Sequence, residues 1–131
     1  MSILGHRISR KATAALAAVI LLVTLLPALS STPTREVTLV VKGMSFYLEG
    51  DLTTPNPTIE MKAGERVRIV VKNQERGVTH DFAFPAAGAV MNELTWNQTG
   101  EVGFEAPTKP GTYEYFCQPH RLMMKGIIQV E

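Results

Sequence analysis

The chain has one cysteine, and it opens a run of metal-type donors: Cys117-Gln118-Pro119-His120-Arg121-Leu122-Met123-Met124-Lys125-Gly126. A thiolate, an imidazole and a thioether thus follow one another within a single short loop. A second imidazole, His80, stands upstream at the head of Asp81-Phe82-Ala83-Phe84. Two His and one Cys in a plane, with a weak axial Met, make a mononuclear copper site of the electron-transfer kind. The two oxidation states of copper prefer different geometries. A rigid scaffold that holds a compromise between them leaves little to move when an electron arrives.

Each of these residues has a plainer reading alone. A single Cys is commonly a buried core thiol, and a single His a satisfied structural one. The combination decides for metal ligation. His80 is the only histidine upstream of the loop once His6, near the start of the chain, is set aside. The loop offers two thioethers, Met123 and Met124. Met44, Met61 and Met91 read as core or edge fillers.

Residues 1–30 do not read as part of a domain. His6, Arg7, Arg10 and Lys11 form a basic start, and Ala12 to Leu26 is apolar except for Thr13 and Thr24. Pro27-Ala28-Leu29-Ser30 supplies small residues before a cut, which completes the pattern of an export signal. The alternative is an uncleaved membrane anchor, for which the apolar run is short. The expectation is an exported protein, periplasmic or otherwise extracytoplasmic. Residues 31–35 make a linker and residues 36–131 a single domain, large enough for one core without disulfides. Without Arg7, Arg10 and Lys11, ten basic residues face twelve acidic ones. That balance gives no reason to expect nucleic-acid binding. An unpaired thiol in an oxidising compartment needs a protector, and a bound metal is one.

The domain reads as strands. Val37, Leu39 and Val41 alternate with Thr38 and Lys42, as do Val67, Ile69 and Val71 with Arg66, Arg68 and Lys72; period two marks half-buried strands. Ile59 and Met61 precede the turn Lys62-Ala63-Gly64-Glu65. Asn73 to Gly77 reads as a polar turn, and His80 to Phe84 as the start of a strand. Val102 and Phe104 mark another, Tyr113 and Tyr115 lead along one face to Cys117, and Ile128 and Val130 lie on the last. Pro85 to Gly100 is long for a loop and is expected to hold a short helix or a lid. About eight short strands between turns imply an all-β Greek-key sandwich or barrel. In that fold Cys117 ends one strand, His120 follows across a turn stiffened by Pro119, and His80 comes from a neighbouring strand.

These motifs resemble the cupredoxins, the blue-copper family of azurin, plastocyanin, amicyanin and pseudoazurin. The resemblance covers residues 36–131 and rests on His80-Asp81-Phe82, Gly111 to Cys117, the ligand loop, and Met124-Lys125-Gly126 leading into Ile127 to Val130. It implies one copper ion held by His80, Cys117, His120 and a methionine. The Cys-to-His gap is like that of plastocyanin and amicyanin. Amicyanin's His-to-Met spacing would select Met123; azurin's, directly before Lys-Gly, selects Met124, which is preferred. The family usually carries Asn after the first His, where this chain has Asp81.

The resemblance implies a monomeric electron carrier, not an enzyme, that cycles Cu(I) and Cu(II) and docks redox proteins transiently near His120. The alternative function is an exported copper chaperone or store, in which Met91, Met123 and Met124 make an open site. Multicopper oxidase and nitrite reductase chemistry needs further His ligands, and a binuclear copper site needs two Cys; three His and one Cys are too few. Arg121 beside His120 reads as solvated or as steering an acidic partner, and Trp96 as a cover over the site or over a sheet edge.

Overall fold

The computed structural model describes residues 34–131. The expected signal or anchor at residues 1–30 lies outside the described residues. Among the described residues no helix is long and apolar enough to cross a membrane.

Among the described residues nine strands, numbered in chain order, build two sheets. β1 (Arg35–Lys42), β2 (Ser45–Leu48), β4 (Arg66–Asn73) and β7 (Thr99–Glu105) form one, in the order β2-β1-β4-β7. β3 (Ile59–Met61), β9 (Lys125–Val130), β8 (Gly111–Phe116), β5 (Ala83–Phe84) and β6 (Ala89–Val90) form the other, in that order. The all-β expectation holds. The alternation on β1 and β4 buries Val37, Leu39, Val41, Val67, Ile69 and Val71 between the sheets, while Arg66 and Arg68 stay in water.

Two features differ from the sequence reading. The strand expected from His80 begins only at Ala83, because the His80 backbone is engaged elsewhere: its N–H donates to Leu94 O at 3.1 Å, and Leu94 N–H returns a bond to His80 O at 2.7 Å. Pro85 to Gly100 does hold the short helix expected of it, a 3-10 turn at Pro85–Ala87, followed by β6. β1 pairs with β4, and β3 with β9, in parallel; hydrophobic alternation carries no strand direction, so it could not distinguish this from an antiparallel pattern.

The core beneath the ligand-bearing end is aromatic. Phe82 and Tyr115 stack at 5.5 Å between ring centroids, and Phe46 meets them edge-on at 6.1 and 5.6 Å. Such pairs contribute about 0.5–1.5 kcal/mol each beyond area burial. The Tyr115 hydroxyl donates to Pro57 O at 2.7 Å, and burial pushes its pKa up. Between β1 and β2, Gly43 and Met44 both have φ of +58°, the left-handed pair that a tight two-residue hairpin turn demands.

Candidate metal centre

Pairing register brings the ligand candidates to one end of the five-stranded sheet. β5 and β8 are antiparallel neighbours with Ala83 opposite Phe116. Continuing that register sets Asp81 opposite Gln118, and Asp81 Oδ1 accepts the Gln118 N–H at 2.6 Å. His80 and Cys117 are therefore held at the same sheet end by backbone geometry. β8 and β9 pair with Phe116 opposite Lys125. One residue further on, Cys117 N–H donates to Met124 O at 2.9 Å and closes the ligand loop. Inside the loop, Gln118–His120 is a single 3-10 turn with Pro119 near its start. His120 N–H donates to Cys117 O at 3.2 Å, and His120 O accepts from Met123 and Met124 N–H at 2.9 Å each.

Three donor atoms converge. Cys117 Sγ lies 3.8 Å from His80 Nδ1 and 3.5 Å from His120 Nδ1, and one ligand atom from each of the three residues falls within 4.8 Å of the others. Metal–nitrogen bonds of about 2.0 Å and metal–sulfur bonds of about 2.3 Å, set at 120°, separate N from S by about 3.8 Å. The spacing therefore fits three ligands around one ion. His80 and Cys117 are fully buried, whereas His120 is half-buried and reaches the surface.

The protonation pattern also fits. His80 Nε2 stands 3.1 Å from Glu75 Oε2. A carboxylate only accepts, so Nε2 carries the proton and Nδ1 offers its lone pair toward Cys117. Burial holds the His80 pKa below its ordinary value, against the opposing pull of Glu75. Burial pushes the Cys117 thiol up to about 11. A metal must therefore displace a proton to take this sulfur as thiolate. Burial likewise raises Asp81, against the bond from Gln118 N–H.

The two methionines separate by burial. Met124 has no exposed surface and packs in the core cluster that includes Cys117 and Phe82. Met123 is 60% exposed, and its carbonyl accepts from Asn56 Nδ2 at 3.2 Å. Met61 and Met91 are buried fillers, as expected. Arg121 donates to Glu114 Oε1 at 3.3 Å and lies 4.2 Å over the Phe116 ring, so it is tethered. Trp96 is half exposed beneath the Arg76 guanidinium, at 4.1 Å.

Two contributors escaped the sequence reading, Glu75 and Leu94. Glu75 sits in a polar run that carries only a turn signal. Leu94 belongs to the irregular stretch before β7, and its pairing with His80 leaves no periodic trace.

Comparison with known proteins bears on the fold and the family. No curated protein sequence matches the chain. Auracyanin A, a blue copper protein from Chloroflexus aurantiacus, superposes with a TM-score of 0.58 at 23% identity, covering 76% of this chain and 100% of its own. Auracyanin B gives 0.61 at 23% identity, with 79% and 93% covered. A copper-containing nitrite reductase from Thermus scotoductus gives 0.58 at 24% identity, covering 76% of this chain but only 28% of its own. At such identities the likeness is one of fold. The profile of the Cupredoxin-like domain family matches residues 14–130, most of the chain, and the chain belongs to that family.

Proposed function

We propose that this domain is a blue copper electron carrier. His80 Nδ1, Cys117 Sγ and His120 Nδ1 would hold one copper ion, with Met124 as a weak fourth ligand. Copper supplies one-electron exchange between Cu(I) and Cu(II). The observation that carries the reading is the convergence of the three donors within 4.8 Å at a buried sheet end. The chain's own part is to orient those donors, exclude water from His80 and Cys117, and leave one imidazole at the surface. His120 is that opening. Pro119 and Leu122 flank it, with Leu122 93% exposed, and Met123 extends the apolar rim. An apolar rim of this kind suits weak, transient docking of a redox protein. In this reading the protein transforms no substrate and works as a monomer. The basic and apolar start of the chain supports an exported location.

The chaperone or storage reading is disfavoured by burial. Met91 is 5% exposed and Met124 fully enclosed, so no open methionine site forms with Met123.

The test is optical and electron paramagnetic resonance spectroscopy of Cu(II)-loaded protein. Wild type is expected to show an intense thiolate-to-copper band that Cys117→Ser abolishes. Met124→Leu conserves volume, costs less than about 1.5 kcal/mol, and is expected to perturb the spectrum. Met123→Leu is expected to leave it unchanged. A wild type without the band refutes the function; a change confined to Met123→Leu reverses the axial assignment.

A further inference from the structure

We propose that Glu75 is a positioning residue of the metal centre: its carboxylate fixes the tautomer and orientation of His80 and lends that imidazole negative charge. The inference rests on the copper reading above.

The geometry singles out this one side chain. Glu75 Oε2 lies 3.1 Å from His80 Nε2, on the opposite side of the ring from the nitrogen that faces Cys117. The imidazole is fully buried and the Glu75 side chain only 20% exposed, so water screens the pair weakly. The same oxygen accepts the Met44 N–H at 2.9 Å, and that amide belongs to the left-handed turn between β1 and β2. The carboxylate is thus pinned from two sides.

Its backbone is equally held. Glu75 N–H donates to Asn73 Oδ1 at 2.9 Å, and Gln74 N–H to Val41 O at 3.0 Å. Asn73, 1% exposed, also reaches Leu94 O through Nδ2 at 2.9 Å. Leu94 in turn pairs with the His80 backbone. Asn73, Glu75, His80 and Leu94 therefore close a ring of hydrogen bonds behind the imidazole. A strap of that kind sets where Nδ1 points.

The charge adds a second effect. A backbone carbonyl in the same place would fix the tautomer without carrying charge. An ionised acceptor makes the bond roughly twice as strong as a neutral one and raises the basicity of the ligated ring. The more highly charged ion gains more from a basic ligand, so Glu75 favours Cu(II) over Cu(I) and lowers the reduction potential.

The test compares copper-loaded wild type, Glu75→Gln and Glu75→Asp by visible spectroscopy and redox titration. Glu75→Gln keeps an oxygen for Met44 N–H but loses the charge. Loss of a partner to a metal-bound histidine changes metal affinity by about 10–100-fold. A tenfold change in the Cu(II)/Cu(I) affinity ratio is about 59 mV for one electron. The potential of Glu75→Gln is expected to rise, by up to about that amount because an oxygen acceptor remains, with the thiolate band retained, and Glu75→Asp to return part of it. An intact band with an unchanged potential in Glu75→Gln overturns the inference alone. Absence of the band in wild type overturns the copper reading, and this inference with it. Proton NMR of the Cu(I) wild type needs no variant: the His80 Nε2–H is expected to appear far downfield and protected from exchange, and rapid exchange with solvent contradicts the strap.

Discussion

Gly126 closes the ligand loop, and its replacement by alanine gives a steric prediction that depends on what the new methyl group meets. A Cβ there falls 2.5 Å from Tyr115 Cζ and 2.6 Å from Cε1, and against the phenolic oxygen as well. Non-bonded carbons pack at about 3.5–4.0 Å, so the overlap is about 1 Å on a ring that cannot swing away. Phe82 stacks on that ring, Phe46 meets its edge, and its hydroxyl is tied to Pro57 O. Either β9 or the aromatic cluster must shift. Overpacking of this sort costs about 1–3 kcal/mol. In a domain of about 100 residues, 2 kcal/mol lowers Tm by roughly 8–16 °C. Gly100→Ala is the internal control. Its Cβ comes as close, 2.8 Å from Leu94 Cδ2 and 2.9 Å from Met91 Sδ, but these are the free ends of flexible side chains that can re-pack. Differential scanning calorimetry of the metal-free proteins should therefore place Gly126→Ala well below Gly100→Ala, and Gly100→Ala nearer wild type. Gly126→Ala melting with or above Gly100→Ala refutes the argument that Tyr115 is locked.

Further predictions concern side chains around the site and at the far sheet edge. Asp81→Asn keeps an oxygen for Gln118 N–H, whereas Asp81→Ala orphans it; metal-free Asp81→Ala should be about 1–3 kcal/mol less stable than Asp81→Asn by denaturant titration, and equal midpoints contradict the bond's role. Glu65 is held below its ordinary carboxylate pKa chiefly by the bond from Arg35, at 2.6 Å. A depressed carboxylate contributes stability that is present above its unfolded pKa of about 4.5 and lost as pH falls through the lower folded value. Melting temperatures followed from pH 6 into acid should therefore fall by less in Glu65→Gln than in wild type, with an effect below about 1 kcal/mol because the pair is partly exposed. Identical acid profiles would show that Arg35 does not act on Glu65 in solution.

The sequence carried the donors more openly than the shell that holds them. Cys117, His120 and the two methionines lie within one loop, so their proximity follows from chain connectivity. The alternation on β1 and β4 needed only side-chain polarity to be legible. Met124 was preferred over Met123 by analogy with spacing, and burial now separates them for a physical reason: the Cys117–Met124 backbone bond turns one side chain inward and leaves its neighbour outside. Glu75 and Leu94 were not legible, because each acts through contacts between irregular segments, where neither period two nor turn chemistry records which atom faces which. The late start of β5 has the same origin, since the His80 backbone is captured by Leu94. The parallel pairing of β3 with β9 was equally hidden: Ile59 and Ile128, 69 residues apart, adopt a common direction through topology alone.

That pairing bears on how the molecule is made. β9 lies inside its sheet, flanked by β3 and β8, yet it comes last in chain order among the strands of the described residues. Without it, β3 has no neighbour in its sheet and the Cys117 N–H to Met124 O hydrogen bond that closes the ligand loop is not held. The β3–β9 pairing is long-range and must first overcome loop-closure entropy. Cys117 and Met124 take their places together once β9 is paired with β8.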